Sequence, residues 1–112
     1  VPVSALPACI AETKRDLDEC GLTAPLVGHV GDGNFHLTLL VGEGESDAAE
    51  RFNDRLVERA IRYGGTCSGE HGIGLGKRKF MRQQHGAALD AMQRLKASFD
   101  PDNLLNPGKI FE

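Results

Sequence analysis

Residues 25–41 read PLVGHVGDGNFHLTLLV, two largely apolar runs that meet at Asp32-Gly33. An Asp-Gly pair favours the positive φ angles of a two-residue type I′ turn, so the stretch predicts an antiparallel β-hairpin. Side chains alternate between the faces of a strand, and Thr38 falls on the same face as the histidines. The other face would be the core side of the sheet and would carry Leu26, Val30, Phe35, Leu37, Leu39 and Val41.

The register of this hairpin brings two histidines together. A two-residue turn at Asp32-Gly33 pairs His29 with His36, and directly opposed residues have Cβ atoms about 5 Å apart. Two ring nitrogens at that separation can reach one metal ion. The pair alone leaves a metal site and a hydrogen-bonded surface pair equally open.

Helix start and stop signals surround the hairpin. Ser4 as a cap, Pro7 in the first turn and Gly21 as a stop predict a helix over residues 4–20. Ser46 and Gly64 bound a second helix in the same way. Its apolar face consists of Ala49, Phe52, Leu56, Ala60 and Ile61. Residues 77–85 begin a basic helix, and a last one, ended by Asp100-Pro101, is marked by Leu89, Met92, Leu95 and Phe99.

Composition limits the class of protein. The chain has 112 residues and a net charge of −3, which predicts one compact domain without a broad basic surface for nucleic acid. Its apolar runs fall well short of the ~20 residues that span a bilayer. Cys9, Cys20 and Cys67 are odd in number and lack CxxC spacing, so we expect a reducing compartment and no nucleophilic cysteine.

A glycine-rich segment between the second and third helices is the main candidate for chemistry. Residues 70–76 read EHGIGLG, too rich in glycine for a regular element. Glu70 offers a carboxylate ligand and His71 an imidazole for proton transfer, and the glycines allow both side chains to point the same way. Gly76-Lys77 lacks the glycine at 71 and the Ser or Thr at 78 that a phosphate-binding loop needs.

Three strings together resemble a known family: Gly28–His36, Gly64–Lys77 and Asp100–Ile110. They are similar to the C-terminal part of FAD-linked D-2-hydroxy-acid dehydrogenases of the vanillyl-alcohol-oxidase type. The D-lactate dehydrogenase (cytochrome) and glycolate oxidase branch is the most similar. The resemblance implies an α+β fold, a ferredoxin-like cap-domain fragment with the hairpin, followed by C-terminal helices. Residues 1–70 would belong to the substrate-side cap domain and residues 71–112 to a flavin-facing segment, with the FAD-binding domain upstream and absent here.

The resemblance also assigns roles to residues. It implies that His29, His36 and Glu70 bind a divalent metal, zinc or manganese, and that His71 is the catalytic base. Asn106 and Lys109 match the segment next to FAD. Thr38 stands where some relatives that act on longer diacids have Asn, which disfavours 2-hydroxyglutarate as the substrate.

The implied activity is oxidation of a small 2-hydroxy acid, D-lactate above others, to the 2-oxo acid by hydride transfer to FAD. Cytochrome c or a quinone would accept the electrons, in the cytoplasm or at the periphery of the inner membrane, and a homodimer is expected. The fragment alone would be inactive. Two alternatives remain from the residues: a metal-dependent hydrolase and a non-catalytic ferredoxin-like binding module.

Overall fold

A computed structural model describes residues 1–111. The chain divides into two compact units, Val1–Gly69 and a second that begins at Glu70. The first unit contains helix α1 (Leu6–Cys20), strands β1 (Leu26–His29) and β2 (Asn34–Leu37), and helix α2 (Ser46–Arg62). The second contains helices α3 (Met81–His85) and α4 (Ala88–Phe99). The α+β class, the antiparallel hairpin and the C-terminal helices are confirmed.

Helix α1 ends where the sequence predicts but begins differently. Gly21 has a left-handed φ of +68° and stops the helix, while Pro7 lies in its first turn. The predicted cap at Ser4 is wrong. Val3–Ala5 form a 3₁₀ turn, and the amides of Ala5 and Leu6 both donate to the Pro2 carbonyl at 2.9 and 3.1 Å. The backbone therefore supplies the acceptor that a serine hydroxyl was expected to provide.

The hairpin connection is longer than the sequence predicts. Strand pairing stops at His29 opposite Asn34, and Val30–Asp32 form a 3₁₀ turn closed by Gly33 at φ +68°. The expected two-residue turn is therefore wrong. A Cβ on Gly33 would lie 1.9 Å from the Val1 carbonyl oxygen, and the Val1 nitrogen donates to the Gly33 carbonyl at 2.8 Å. This contact with Val1, which precedes α1 in the chain, therefore holds the longer turn in place.

The two faces of the hairpin survive this change because the register moves by two residues. Leu26 pairs with Leu37 and Gly28 with Phe35 on one face, and Leu37 continues into the core. Val30 and Val41 were expected on the core side, but they are 64% and 46% exposed since both lie outside the paired strands. The apolar alternation therefore holds within the strands and fails at their ends.

The core of the first unit lies where α1, α2 and the hairpin meet. Phe52 is fully buried there with Leu17 and Leu22. Around these residues pack the partly buried side chains of Cys20, Ala24, Leu37, Leu39, Ala48 and Leu56. Gly64 (φ +78°) stops helix α2 just beyond its last residue, as predicted. The Gly64 amide donates to the Ile61 carbonyl, and the Gly65 amide donates to the Ala60 carbonyl. This pair of hydrogen bonds is the Schellman motif, which the left-handed conformation of glycine permits.

The second unit begins with a loop and ends with a tail. No helix or strand is assigned over residues 70–77, and α4 ends at Phe99 with Asp100 as its cap. Leu89 on α4 is buried, but Leu95 and Phe99 are 61% and 83% exposed. Leu104 and Leu105, further along the chain, are exposed as well.

Two further properties concern the described residues as a whole. None of the helices formed by residues 1–111 is long and apolar enough to cross a membrane. The three cysteines are not joined in disulfides, and Cys9 and Cys67 are buried. The burial of Cys9 and Cys67 is typical of free cysteines that pack as small apolar residues.

Candidate active-site residues

The two hairpin histidines lie on one face of the sheet, but they are not directly opposed. His29 pairs with Asn34, and His36 pairs with Val27. The predicted direct pairing of His29 with His36 is wrong, because the 3₁₀ turn shortens the paired part of each strand. The histidines are instead diagonal neighbours on the two strands. Residues in that position lie about 7–8 Å apart, and long or aromatic side chains can still reach one another.

Asn34 is a residue that the sequence did not single out. It lies opposite His29, on the histidine face, and is half-buried. Two glycines leave room for it: a Cβ on Gly28 would lie 2.4 Å from the Asn34 carbonyl oxygen, and one on Gly69 would lie 2.7 Å from Asn34 Oδ1. The observed register would have identified Asn34, but the predicted Asp-Gly turn placed His36 opposite His29 instead.

Glu70 and His71 open the second unit. Their side chains are 49% and 69% exposed, and His71 Nε2 lies 3.7 Å from Glu70 Oε1. Neighbours on a regular strand would point to opposite faces. The irregular loop, with Gly72 at φ +76° and Gly74 at φ +55°, instead lets the two side chains approach. The loop therefore presents a carboxylate beside an imidazole, as the sequence indicates.

Asn106 and Lys109 lie in a tight turn of the tail. The Lys109 amide donates to the Asn106 carbonyl at 3.2 Å, and Asn106 has a left-handed φ of +47°. Both residues are exposed. Asparagine tolerates this conformation better than most residues other than glycine. The turn therefore holds the two predicted cofactor-binding residues three positions apart on one exposed bend.

Asp100 fixes the point where the tail leaves α4. Its buried carboxylate accepts hydrogen bonds from the amides of Leu104 and Leu105 at 2.8 and 2.9 Å, and it pairs with the Lys96 ammonium. Lys96 Nζ also donates to the Leu105 carbonyl at 2.8 Å. A carboxylate with several donors of this kind forms strong, charge-assisted hydrogen bonds. The start of the tail is therefore ordered by side chains rather than by a helix or strand.

Comparison of the amino-acid sequence with known protein families identifies the family of this chain. Residues 1–110 match the C-terminal domain of the FAD linked oxidases, and the chain belongs to that family. The three resembling strings lie entirely within the match, so the family predicted from the sequence is confirmed.

Individual relatives narrow the comparison. The chain is 51% identical, over its whole length, to a protein of Danio rerio named probable D-lactate dehydrogenase, mitochondrial. It is 42% identical, again over its whole length, to D-lactate dehydrogenase [cytochrome] 1 of Saccharomyces cerevisiae. Over 75% of the chain it is 44% identical to the glycolate oxidase subunit GlcD of Bacillus subtilis. The chain spans only 23%, 19% and 19% of these relatives' lengths, respectively.

Proposed function

We propose that this chain is the C-terminal part of an FAD-linked dehydrogenase that oxidises a D-2-hydroxy acid, D-lactate first among them, to the 2-oxo acid. The observation that carries the proposal is the likeness to proteins named D-lactate dehydrogenase across the whole chain at up to 51% identity. Residues 1–70 would then be part of the substrate-side cap domain, and residues 71–112 the segment that faces the flavin.

The histidine face of the hairpin supports the proposed metal site. His29 and His36 share that face, and Glu70 offers an exposed carboxylate, so the donor set is two imidazoles and one carboxylate. Such a set suits zinc or manganese. We assign these three residues as the metal ligands of the complete enzyme. When bound, the metal would polarise the substrate hydroxyl and FAD would accept the hydride.

His71 would act as the general base. A neutral imidazole accepts the hydroxyl proton as the carbonyl bond forms and the α-hydrogen leaves with its electron pair. The substrate would thus lose one proton to His71 and one hydride, for which bound FAD would be the acceptor. Asn106 and Lys109 would contact FAD from the exposed bend of the tail.

The relatives also bear on substrate, acceptor and location. One relative, at 38% identity, is named D-2-hydroxyglutarate dehydrogenase, but Thr38 favours a smaller acid. Names that include cytochrome support a cytochrome acceptor over a quinone. Names that include mitochondrial favour that compartment over the predicted cytoplasmic one. Membership of the FAD linked oxidases favours the dehydrogenase over a hydrolase or a binding module.

Anaerobic reduction of the flavin in the full-length enzyme tests the proposal. D-Lactate, glycolate and D-2-hydroxyglutarate are mixed with the enzyme, and loss of the oxidised flavin absorbance is followed. We expect D-lactate to bleach the flavin fastest. His71→Ala should slow bleaching by roughly 10²- to 10⁴-fold, the usual contribution of a general base.

Two controls complete this experiment. His85→Ala alters a histidine of α3 that bonds to Gln84, and it should leave the rate unchanged. His29→Ala should lose the metal in elemental analysis, whereas His71→Ala should retain it. Near-normal bleaching by His71→Ala would contradict its role, and full metal content in His29→Ala would contradict the ligand set.

A further inference from the structure

Arg78 connects two segments of the second unit that are distant in sequence. We call residues 70–76 the glycine loop and residues 103–111 the tail. Arg78 Nε donates to the Leu75 carbonyl at 3.3 Å, and its Nη1 donates to the Gly108 carbonyl at 2.8 Å. Nη1 also lies 3.4 Å from the Phe111 carbonyl oxygen. One guanidinium therefore holds backbone carbonyls of both segments.

A backbone hydrogen bond joins the same two segments. The Ile110 amide donates to the Gly74 carbonyl at 2.9 Å. Ile110 has a φ of +68°, which is unfavourable for a β-branched residue, and Gly108 has a φ of +70°. Such backbone conformations persist only where surrounding contacts hold them, and they concentrate at functional sites. The contacts that hold this one are the Gly74 carbonyl and Arg78.

We propose that Arg78 is a positioning residue, which fixes the glycine loop and the tail in the arrangement needed for flavin reduction. This inference rests on the proposed function, in which the loop carries Glu70 and His71 and the tail carries Asn106 and Lys109. A guanidinium suits the task because its planar donors point in fixed directions and can satisfy several carbonyls at once. Lysine offers a single ammonium on a flexible stem and would keep only part of these bonds.

Arg82 provides a matched control within the same unit. Its Nη1 donates to the Gly86 carbonyl at 2.9 Å and its Nη2 to Asp90 Oδ1 at 2.6 Å. These partners belong to α4 and to the connection between α3 and α4. Arg78 and Arg82 are thus neighbouring arginines that each bond to backbone, but only Arg78 bonds to the glycine loop and the tail.

Hydrogen exchange in the full-length flavoenzyme tests the structural half of the proposal. In Arg78→Met the Ile110 amide should exchange at least about 10-fold faster, since the tail is released from the loop. The Leu104 and Leu105 amides, which Asp100 holds, serve as an internal reference and should be unchanged. Arg82→Met should leave all three amides unchanged. Unchanged exchange at Ile110 in Arg78→Met would overturn the proposal.

Steady-state kinetics on the same preparations tests the functional half. We expect kcat of Arg78→Met to fall about 10- to 100-fold with little change in KM, because misplacement of reacting groups slows the chemical step. Arg78→Lys should recover part of the loss, and it is the variant to use if Arg78→Met fails to fold. Bound FAD, measured by visible absorbance, should match the wild type.

The possible failures are distinguishable. Faster exchange at Ile110 with an unchanged kcat would overturn the positioning role while leaving the dehydrogenase assignment intact. If the wild type and Arg82→Met are both unreduced by every 2-hydroxy acid, the proposed function fails. In that case the exchange data still report whether Arg78 joins the two segments.

Discussion

The two units of the chain are stabilised in different ways. The first has a packed core around Phe52, with apolar contributions from two helices and the hairpin. The second fixes its loop and tail largely through Asp100 and Arg78, whose side chains bond to backbone amides and carbonyls. The comparison teaches that the hairpin face is held by many weak contacts, whereas the loop and tail depend on a few polar side chains.

An ion network between α1 and α2 adds to the first unit. Asp16 accepts hydrogen bonds from Arg55 at 2.7 Å and from Arg59 at 2.5 Å. Arg59 is buried, and its Nη1 also donates to the buried Thr13 hydroxyl at 3.1 Å. Buried charges are tolerated only when they are paired and hydrogen-bonded in this way. The network therefore makes the packing of α1 on α2 specific.

The largest expected effect contrasts two phenylalanines. Phe52→Ala removes a fully buried ring and should lower the free energy of unfolding by about 3–5 kcal/mol. Phe99→Ala alters a side chain that is 83% exposed and should change it by less than about 0.5 kcal/mol. Denaturant unfolding of the full-length protein measures both. Equal losses in the free energy of unfolding would mean that the two units do not differ in how much they depend on a packed core.

The next effect concerns the start of the tail. Asp100→Ala removes the acceptor of two amides and leaves Lys96 without its carboxylate, so we expect a local loss of about 2–3 kcal/mol. Hydrogen exchange at Leu104 and Leu105 measures it, and Asp102→Ala, at an exposed position, is the control. A loss spread evenly over both units would contradict the localised role of Asp100.

The smallest effect is a dependence on pH in the first unit. Burial alone would raise the pKa of Asp16, but the hydrogen bonds from Arg55 and Arg59 outweigh it and lower that pKa from 3.8 to about 2. Because the folded-state pKa is depressed, this stabilisation is complete above about pH 4 and is lost as the pH falls through 2. The expected loss is roughly 1–2 kcal/mol.

Acid titration of the free energy of unfolding checks this value. Asp16→Asn should lack the decline between pH 4 and 2, while Asp18→Asn, at an exposed position on the same helix, should retain it. A decline of equal size in Asp16→Asn would assign the acid sensitivity to other carboxylates.

The sequence predicted where α1 and α2 end and which residues share a hairpin face, because local signals determine both. It did not predict where these helices begin: Glu45 is the N-cap of α2 and Ser46 its first residue, so the predicted cap at Ser46 is wrong, like that at Ser4. Gly21 and Gly64 adopt the left-handed conformation that ends a helix. The predicted register is wrong because it rests on the local preference of Asp32-Gly33 for a two-residue turn. In the structure Gly33 contacts Val1, 32 residues away, and the turn is longer. Alternation survived since the shift was by two residues, which returns each side chain to its original face.

The candidate site was predictable to a similar degree. Glu70 and His71 stand out because glycines surround them, and the structure confirms an irregular loop there. Arg78 was predicted only as part of the basic helix that begins in residues 77–85, since nothing in that stretch of sequence indicates which carbonyls it reaches. Its main partner, Gly108, is 30 residues further along the chain, and only the folded structure brings the two together.

That separation has a consequence for the order of synthesis. Ribosomes add about 5–20 residues per second, so Gly108 is made about 2–6 s after Arg78. Contacts distant in sequence form after local ones, and α3 and α4 precede the tail in the chain. The nascent glycine loop therefore waits several seconds for the carbonyl that holds it, and α3 and α4 are synthesised before the loop bearing Glu70 and His71 is fixed.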